Sequence, residues 1–286
     1  MRRDLHKKAF SVAIKVLLSA AAIYLVLQKI DFTKTKDIFS TINYFWLTLG
    51  FIAFTLSRII GAIRLNLYFS QIGLHLPAIL NLKLYYLGMF YNLFLPGGIG
   101  GDGYKIYFLH KYYHTKKLLL LKATLLDRIS GLFALIFLAC IFLSTSSFTE
   151  VLDIGPLLCI IAALLVIPAS YLFALLTSKT FMPIFTLSSL YALVLQALQG
   201  LTTLFILYAF AHTTHISDYL AIFFISSVVA VLPLSIGGIG ARELTFIYLL
   251  AFLQQDYNIG VALSVMFFIF TFISSLWGVL YTHIKP

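Results

Sequence analysis

The sequence predicts an all-α polytopic membrane protein, and three observations support that fold class. Of its 286 residues, 61% are hydrophobic and only 10% are charged, whereas a soluble domain has about a quarter of its residues charged. The apolar residues form runs of about 20, the length at which a helix crosses the hydrocarbon core. These runs lack the alternating segments of a transmembrane barrel, and helices satisfy their own backbone groups in lipid. We therefore expect one transmembrane domain over residues 1–286, without a soluble catalytic domain.

Six apolar runs are long enough to cross the bilayer: 9–28, 44–62, 119–143, 156–176, 185–210 and 259–281. Two further apolar regions, 65–96 and 217–254, are each interrupted by glycine-rich sequence after a proline, where a helix should end. We interpret each region as a broken, re-entrant hairpin. The alternative is two short spans in each region, which would give ten helices.

The two interruptions share the pattern L-P-x-x-I-G-G-x-G-x-[K/R], in which Pro96 and Pro233 occupy the same position 137 residues apart. The same offset approximately relates the spans around them. The sequence therefore predicts two repeats, approximately 1–143 and 144–286, each with three spans and one broken hairpin.

The basic residues predict that both termini are cytoplasmic. With the N-terminus inside, most Lys and Arg, including Arg64 and Lys105, fall on the cytoplasmic side, whereas only Lys29, Lys34 and Lys36 fall outside. Three connections without Lys or Arg also fall outside: 150–153, 212–218 and 254–256. On this assignment the hairpins enter from opposite faces, as in the inverted repeats of secondary transporters.

Glycine-rich backbone after a proline exposes amide and carbonyl groups, which lipid tolerates only when they are buried in protein or line a wet cavity. The N-terminus of a half-helix favours anionic groups, although close helix packing also explains glycine. We predict a substrate site from the residues near the breaks: Arg58, Asn92, Gly100, Gly101, Asp102, Lys105, Asp127, Arg128, Ser235, Gly237, Gly238, Arg242 and Glu243.

The four cations of this set are the predicted headgroup contacts, and its acids would tune or gate them. The alternative is that fixed ion pairs lock the helices together. In that case Asp127 and Arg128 could neutralise each other as sequence neighbours, and so could Arg242 and Glu243. Lys105 could also snorkel to an interface. Asn92 could cap or bridge the carbonyls freed near Pro96.

Several other patterns carry no function. The pairs His110/His114 and His212/His215 lack further ligands for a metal. The G-x-G-x-x-G of residues 98–103 lacks the βαβ unit of a dinucleotide site, and no activated nucleophile is recognisable. We therefore expect no catalytic residue, metal or cofactor. The net charge of +10 indicates attraction to anionic lipid, not nucleic acid.

Tyrosine pairs such as Tyr85-Tyr86 are typical of the aromatic belts at membrane interfaces.

Three ordered motifs resemble the lysylphosphatidylglycerol synthase transmembrane (flippase-like) family: 92–105, 127–131 and 232–243. Arg58 and Arg64 add to the likeness. The resemblance implies a lipid-flipping module in a bacterial or archaeal cytoplasmic membrane. Larger relatives carry a cytosolic aminoacyl-transferase domain; this chain ends at Pro286 soon after its last predicted span, so we expect no synthase activity. Lys105 stands where relatives commonly carry arginine, and it would offer a point charge without the bidentate grip of arginine.

The leading hypothesis is translocation of an anionic phospholipid or a lipid-linked intermediate of the polyprenyl-phosphate type. Expected partners are membrane lipids and, as a candidate, a membrane-associated synthase or glycosyltransferase. One alternative is an intramembrane transferase with Asp102 and Glu243 as its acid/base pair, and others are a channel or a non-transporting partner. Without a nucleotide-binding motif, energy would come from ion or proton coupling, from a partner or from the substrate gradient.

Overall fold

The computed structural model describes Tyr24 and residues 37–94, 100–231 and 240–284. The described residues contain no β-strand, and nine helices of more than ten residues lie among them. The first predicted span, 9–28, lies outside the described residues except for Tyr24.

The helices fall into two successive sets. The first comprises α1 (Tyr44–Gln71), α2 (Ala78–Phe94), α3 (Gly100–Tyr113) and α4 (Lys117–Leu143). The second comprises α5 (Pro156–Thr177), α6 (Phe185–Ala209), α7 (Ile216–Val231), α8 (Ala241–Phe252) and α9 (Tyr257–Leu276). Three short helical turns lie between or after these helices, at Phe148–Val151, Lys179–Ile184 and Trp277–Tyr281.

Five helical segments of the described residues are long and apolar enough to cross a membrane. They are α1, α4, α5, α6 with the turn before it, and α9 with the turn after it. The all-α polytopic membrane fold is thus confirmed. One predicted boundary was wrong: the span predicted at 44–62 continues to Gln71. Arg64, which lies in the added part of this helix, is buried in the bundle.

The helices around the two breaks are shorter than the spans. At 1.5 Å per residue, α2 with 17 residues and α7 with 16 residues are about 25 Å long. The 14 residues of α3 and 12 of α8 extend only about 20 Å. Because the hydrocarbon core is about 30 Å thick, these lengths favour broken hairpins over four additional full spans. In each hairpin the two halves pack together, α2 on α3 and α7 on α8.

The order of elements recurs along the chain. A long helix, a broken hairpin and a second long helix form α1 to α4, and the same order forms α6 to α9. The long helices α1 and α6 pack along each other. Each closing helix packs on the hairpin of the other half, α4 on α7 and α9 on α2. The inverted relation of the two halves stays a prediction.

Two apolar clusters form the core, and α1 contributes to both. Phe54 belongs to the first cluster, with Phe223 and Phe267, while Leu65 and Tyr68 belong to the second. The rings of Phe54 and Phe267 meet edge to face with centroids 5.3 Å apart, and each such pair contributes about 0.5–1.5 kcal/mol beyond its burial. The charged part of α1 lies between these clusters, so the packing places its arginines inside the bundle.

Three connections meet at Asp218, which is only 1% exposed. The backbone N–H and hydroxyl of Ser147 donate to its carboxylate at 2.7 and 2.8 Å, as does the Gln255 amide. His215 Nδ1 lies 3.5 Å away. The connections α4–α5, α6–α7 and α8–α9 therefore lie at the same end of the bundle. This agrees with their prediction on one side of the membrane, but that this side is the exterior stays a prediction.

Candidate functional site

Arg64 and Asp127 form a buried ion pair between α1 and α4. Arg64 Nε donates to Asp127 Oδ1 at 2.7 Å, and Nη2 donates to the Asp127 carbonyl at 3.0 Å. Gly131 leaves room for the guanidinium, since a Cβ there would lie 3.2 Å from Nη1. Arg64 is therefore not a cytoplasmic loop residue and does not count toward the charge bias. The alternative pairing of Asp127 with its neighbour Arg128 was wrong.

Asp102 binds two cations at the start of α3. Lys105 Nζ lies 3.2 Å from Asp102 Oδ1, and Arg128 Nε donates to Oδ2. The Asp102 and Lys105 residues are 7% and 6% exposed, so Lys105 does not snorkel to an interface. The Arg128 side chain is 35% exposed and forms the accessible edge of this trio.

The first hairpin is held by a close contact of two glycines. A Cβ on Gly101 would overlap the backbone of Gly88, so α2 and α3 touch at backbone distance. One turn further along α2, Asn92 Oδ1 accepts the Gly101 N–H at 2.8 Å. Asn92 thus caps an amide of α3 and does not serve the carbonyls of its own helix. Gly100, the first residue of α3, is half-buried beside this contact.

Glu243 stabilises the start of α8. Its carboxylate accepts the Gly240 N–H at 2.7 Å and the Ser264 hydroxyl at 2.8 Å. Gly240 has φ of +84°, a conformation that favours glycine, so the chain can turn directly into the helix. Both oxygens of Glu243 are therefore engaged in fixing the hairpin to α9.

Arg242 points into the first apolar cluster. Its guanidinium carbon lies 4.7 Å from the ring centroid of Phe267 and 5.4 Å from that of Phe223. Its Nη2 donates a long hydrogen bond to Ser227 Oγ, at 3.4 Å. Among the described carboxylates, none lies within salt-bridge distance of Arg242.

Arg58 approaches the same aromatic cluster from α1. Its guanidinium carbon lies 4.3 Å from the ring centroid of Phe54, and the Tyr85 hydroxyl lies beside it. The buried Nε has no hydrogen-bond partner in the described part of the chain, where no carboxylate is within salt-bridge distance either. Arg58 and Arg242 are near enough to repel each other. Two half-buried cations thus stack on a joined aromatic surface.

Tyr85 connects Arg58 to the first hairpin. Lys105 Nζ lies 5.0 Å from the Tyr85 ring centroid, and the hydroxyl of the same side chain lies beside Arg58. Gly61 makes room for that hydroxyl, since a Cβ there would overlap it. The assignment of Tyr85 to an interfacial aromatic belt stays a prediction; in the folded chain its side chain contacts Arg58 and Lys105.

We call the combined set the central charge cluster; it consists of Arg58, Arg64, Asp102, Lys105, Asp127, Arg128, Arg242 and Glu243. It joins α1, α3, α4 and α8, so both hairpins contribute to it.

Ser235, Gly237 and Gly238 of the predicted site lie outside the described residues. The predicted site omitted Tyr85 and Arg64. Tyr85 was missed because its sequence neighbours are apolar, and Arg64 was missed because the predicted span ended before it. The described residues hold no group of His, Cys, Asp and Glu able to bind a metal.

An apolar cavity of about 190 Å³ lies between α4, α5 and α6. Its lining is mainly apolar and includes five phenylalanine rings, and the Tyr68 hydroxyl donates to Ser188 Oγ at 3.3 Å at its wall. Apolar cavities of about this size hold small apolar molecules. No sequence pattern marked it, because α5 is apolar on every side.

The family model described as the lysylphosphatidylglycerol synthase TM region matches residues 12–278. No curated protein matches the chain. The match includes both hairpins and every described member of the central charge cluster. The chain therefore belongs to the lysylphosphatidylglycerol synthase TM-region family.

Proposed function

We propose that the chain translocates an anionic phospholipid or lipid-linked intermediate across the cytoplasmic membrane, with its headgroup held in the central charge cluster. The observation that carries the proposal is the pair Arg58 and Arg242, which stand close together without a carboxylate partner among the described residues. Ionisable groups inside a membrane protein are costly and mark ligand pathways. An anionic headgroup would supply the missing charge.

The other charges of the cluster divide into fixed and adjustable groups. Arg64 and Asp127 are bound to each other and join α1 to α4, so this pair would hold the two helices together throughout transport. Lys105 and Arg128 share the Asp102 carboxylate. Burial keeps competing water away and strengthens such charge-assisted contacts. The headgroup would thus contact Arg58 and Arg242, and Tyr85 places Lys105 close to Arg58.

Cations from both halves of the chain support a translocation path. Lys105 belongs to the first hairpin and Arg242 to the second, at corresponding positions of their glycine motifs. If the halves are inverted repeats, rocking of one against the other would open the cluster to each face in turn, while the acyl chains stay in lipid. The termini would be cytoplasmic, and a membrane-associated synthase or glycosyltransferase would provide or use the lipid.

The test is transport by the full chain in proteoliposomes that contain a fluorescent anionic lipid. We expect Arg58→Gln combined with Arg242→Gln to abolish transbilayer movement. Lys179→Gln, which removes one exposed charge outside the cluster, should leave it unchanged. Equal movement by the double variant and the native chain would overturn the proposal. Ion current or chemical turnover of the lipid without movement would also overturn it, in favour of a channel or a transferase.

A further inference from the structure

We infer that the apolar cavity between α4, α5 and α6 binds one hydrocarbon chain of a membrane lipid, which enters from the bilayer between α5 and α6. Such a chain site is separate from the headgroup site of the proposed function, so each could exist without the other. Three features of the cavity point to a lipid chain: its lining, its opening at the outer surface and its shape.

The lining of the cavity is unsuited to a charged headgroup. No described residue that lines it carries a charge. Three of its five serine hydroxyls, those of Ser130, Ser170 and Ser188, donate to backbone carbonyls of their own helices at 2.9, 2.7 and 3.0 Å. A hydroxyl has only one proton to donate, so these three offer no donor to a ligand. The surface that remains is mainly apolar and suits hydrocarbon.

The cavity opens at the outer surface of the bundle. The helix α5 packs on α4 and on the turn Lys179–Ile184, but it has little close contact with α6. Ile167 of α5 lines the cavity and is nevertheless 53% exposed. On α6, the exposed residues Leu190 and Val194 lie beside Leu193, which lines the cavity. Because α5 and α6 are both long and apolar enough to span a membrane, lipid chains are the molecules that surround this opening.

The cavity runs along the helices. On α4 its lining extends from Leu126 to Phe137, a rise of about 16 Å at 1.5 Å per residue. Transmembrane helices are tilted by only about 20° from the bilayer normal, along which lipid chains also lie, so a chain can occupy the cavity lengthwise. An apolar cavity of about 150 Å³ holds one benzene molecule. The volume of about 190 Å³ therefore accommodates part of one chain and not a whole lipid.

Ring contacts between the helices form the walls of the cavity. Phe133 of α4 meets Phe173 of α5 with centroids 5.7 Å apart, and Tyr171 of α5 meets Phe185 of α6 at 5.4 Å. Because these rings are engaged with each other, the walls are formed before a ligand arrives. An empty apolar cavity costs free energy, since the atoms that line it lack neighbours. A lipid chain would restore those contacts.

The helix α4 lies between the chain site and the buried ion pair. The Asp127 carbonyl accepts the Ser130 hydroxyl at 2.9 Å and Arg64 Nη2 at 3.0 Å. Ser130 lines the cavity, whereas Arg64 and Asp127 belong to the central charge cluster. A lipid held by its chain in the cavity would therefore lie against the same helix that carries part of the cluster.

Photolabelling of the full chain in phosphatidylcholine vesicles tests the site. One probe is phosphatidylcholine with a diazirine in one acyl chain, and a second probe carries the diazirine on its headgroup. After illumination, mass spectrometry locates the labelled residues. We expect the chain probe to label Phe133 and Phe137 on the cavity wall, together with the exposed Leu164 and Leu176 of α5. The headgroup probe should leave the cavity wall unlabelled.

Two variants fill the cavity from opposite walls. Ala174→Phe on α5 and Ser189→Phe on α6 each place a ring in the cavity, so each should reduce labelling of its wall to the level without illumination. Ala169→Phe is the matched control, because Ala169 lies on α5, is exposed and does not line the cavity; it should leave this labelling unchanged. Labelling of Leu164 should persist in all three variants, since α5 remains in the membrane.

Three results would overturn the inference. The first is chain label confined to exposed residues such as Leu164 in the native chain. The second is label on the cavity wall that survives both filling variants, and the third is label on that wall from the headgroup probe. Each of these results would leave the proposed function intact, because transport depends on the headgroup cluster and is measured separately in proteoliposomes.

Discussion

Replacing Gly101 by alanine tests the close contact on which the first hairpin depends. The new Cβ would lie 2.6 Å from the carbonyl carbon and 2.7 Å from the Cα of Gly88. Carbon atoms prefer about 3.5–4.0 Å, so α2 and α3 would have to separate by about 1 Å. Because these neighbours are backbone atoms, no side chain can rotate to relieve the overlap.

The separation has two costs. Overpacking of this kind destabilises by about 1–3 kcal/mol. The Asn92–Gly101 hydrogen bond, 2.8 Å long, would stretch beyond bonding distance and lose about another 1 kcal/mol. We therefore expect Gly101→Ala to lower the free energy of unfolding by roughly 2–4 kcal/mol.

Gly103→Ala is the matched control, since it lies in the same helix and nothing lies within 4 Å of its added Cβ. That variant should be neutral or stabilised by up to about 1 kcal/mol through helix propensity. Denaturant or thermal unfolding of the purified chain in one detergent measures both. Equal stability of the two variants would refute the contact between α2 and α3.

Two further predictions concern the buried pair and the polar end of the bundle. Asp127→Asn should destabilise the chain by about 3–5 kcal/mol, because it leaves the Arg64 charge buried without its partner. Combining Arg64→Met with Asp127→Leu should recover most of that loss in unfolding assays; a double variant as unstable as Asp127→Asn would contradict a purely ionic lock. Burial lowers the pKa of His212 below its ordinary value of 6.5, so the folded state favours neutral His212. The free energy of unfolding that neutral His212 contributes should be fully present above pH 6.5 and be lost as the pH decreases through the lowered pKa. His212→Asn should make the free energy of unfolding depend less on pH in this range. An unchanged dependence on pH would refute the assignment.

The sequence predicted the membrane fold well because its main signal is local. Each run of apolar residues determines one helix, as α4, α5 and α6 illustrate. The helices α2 and α7 are described up to Phe94 and Val231, shortly before Pro96 and Pro233 in the sequence. The end of α1 was missed because Arg64 and Asn66 suggest an interface. In the folded chain Arg64 is compensated by Asp127, a partner 63 positions away.

The candidate site was predictable in its residue types but not in its pairings. The glycine motifs and nearby charges identified Arg58, Lys105 and Arg242. The assignment of Asp102 to two cations and of Glu243 to the start of α8 depends on how four helices pack. Tyr85 belongs to the site only because α2 faces both α1 and α3, and hydropathy carries no information on that contact.

The most direct test of the headgroup site is a cryo-electron microscopy structure of the full chain in nanodiscs that contain anionic lipid. We expect headgroup density inside the bundle, with phosphate oxygens within hydrogen-bond distance of the Arg58 and Arg242 guanidiniums. Lipid phosphates found only at the outer surface of the helices, with Arg58 and Arg242 paired to protein groups or separated from each other, would contradict it.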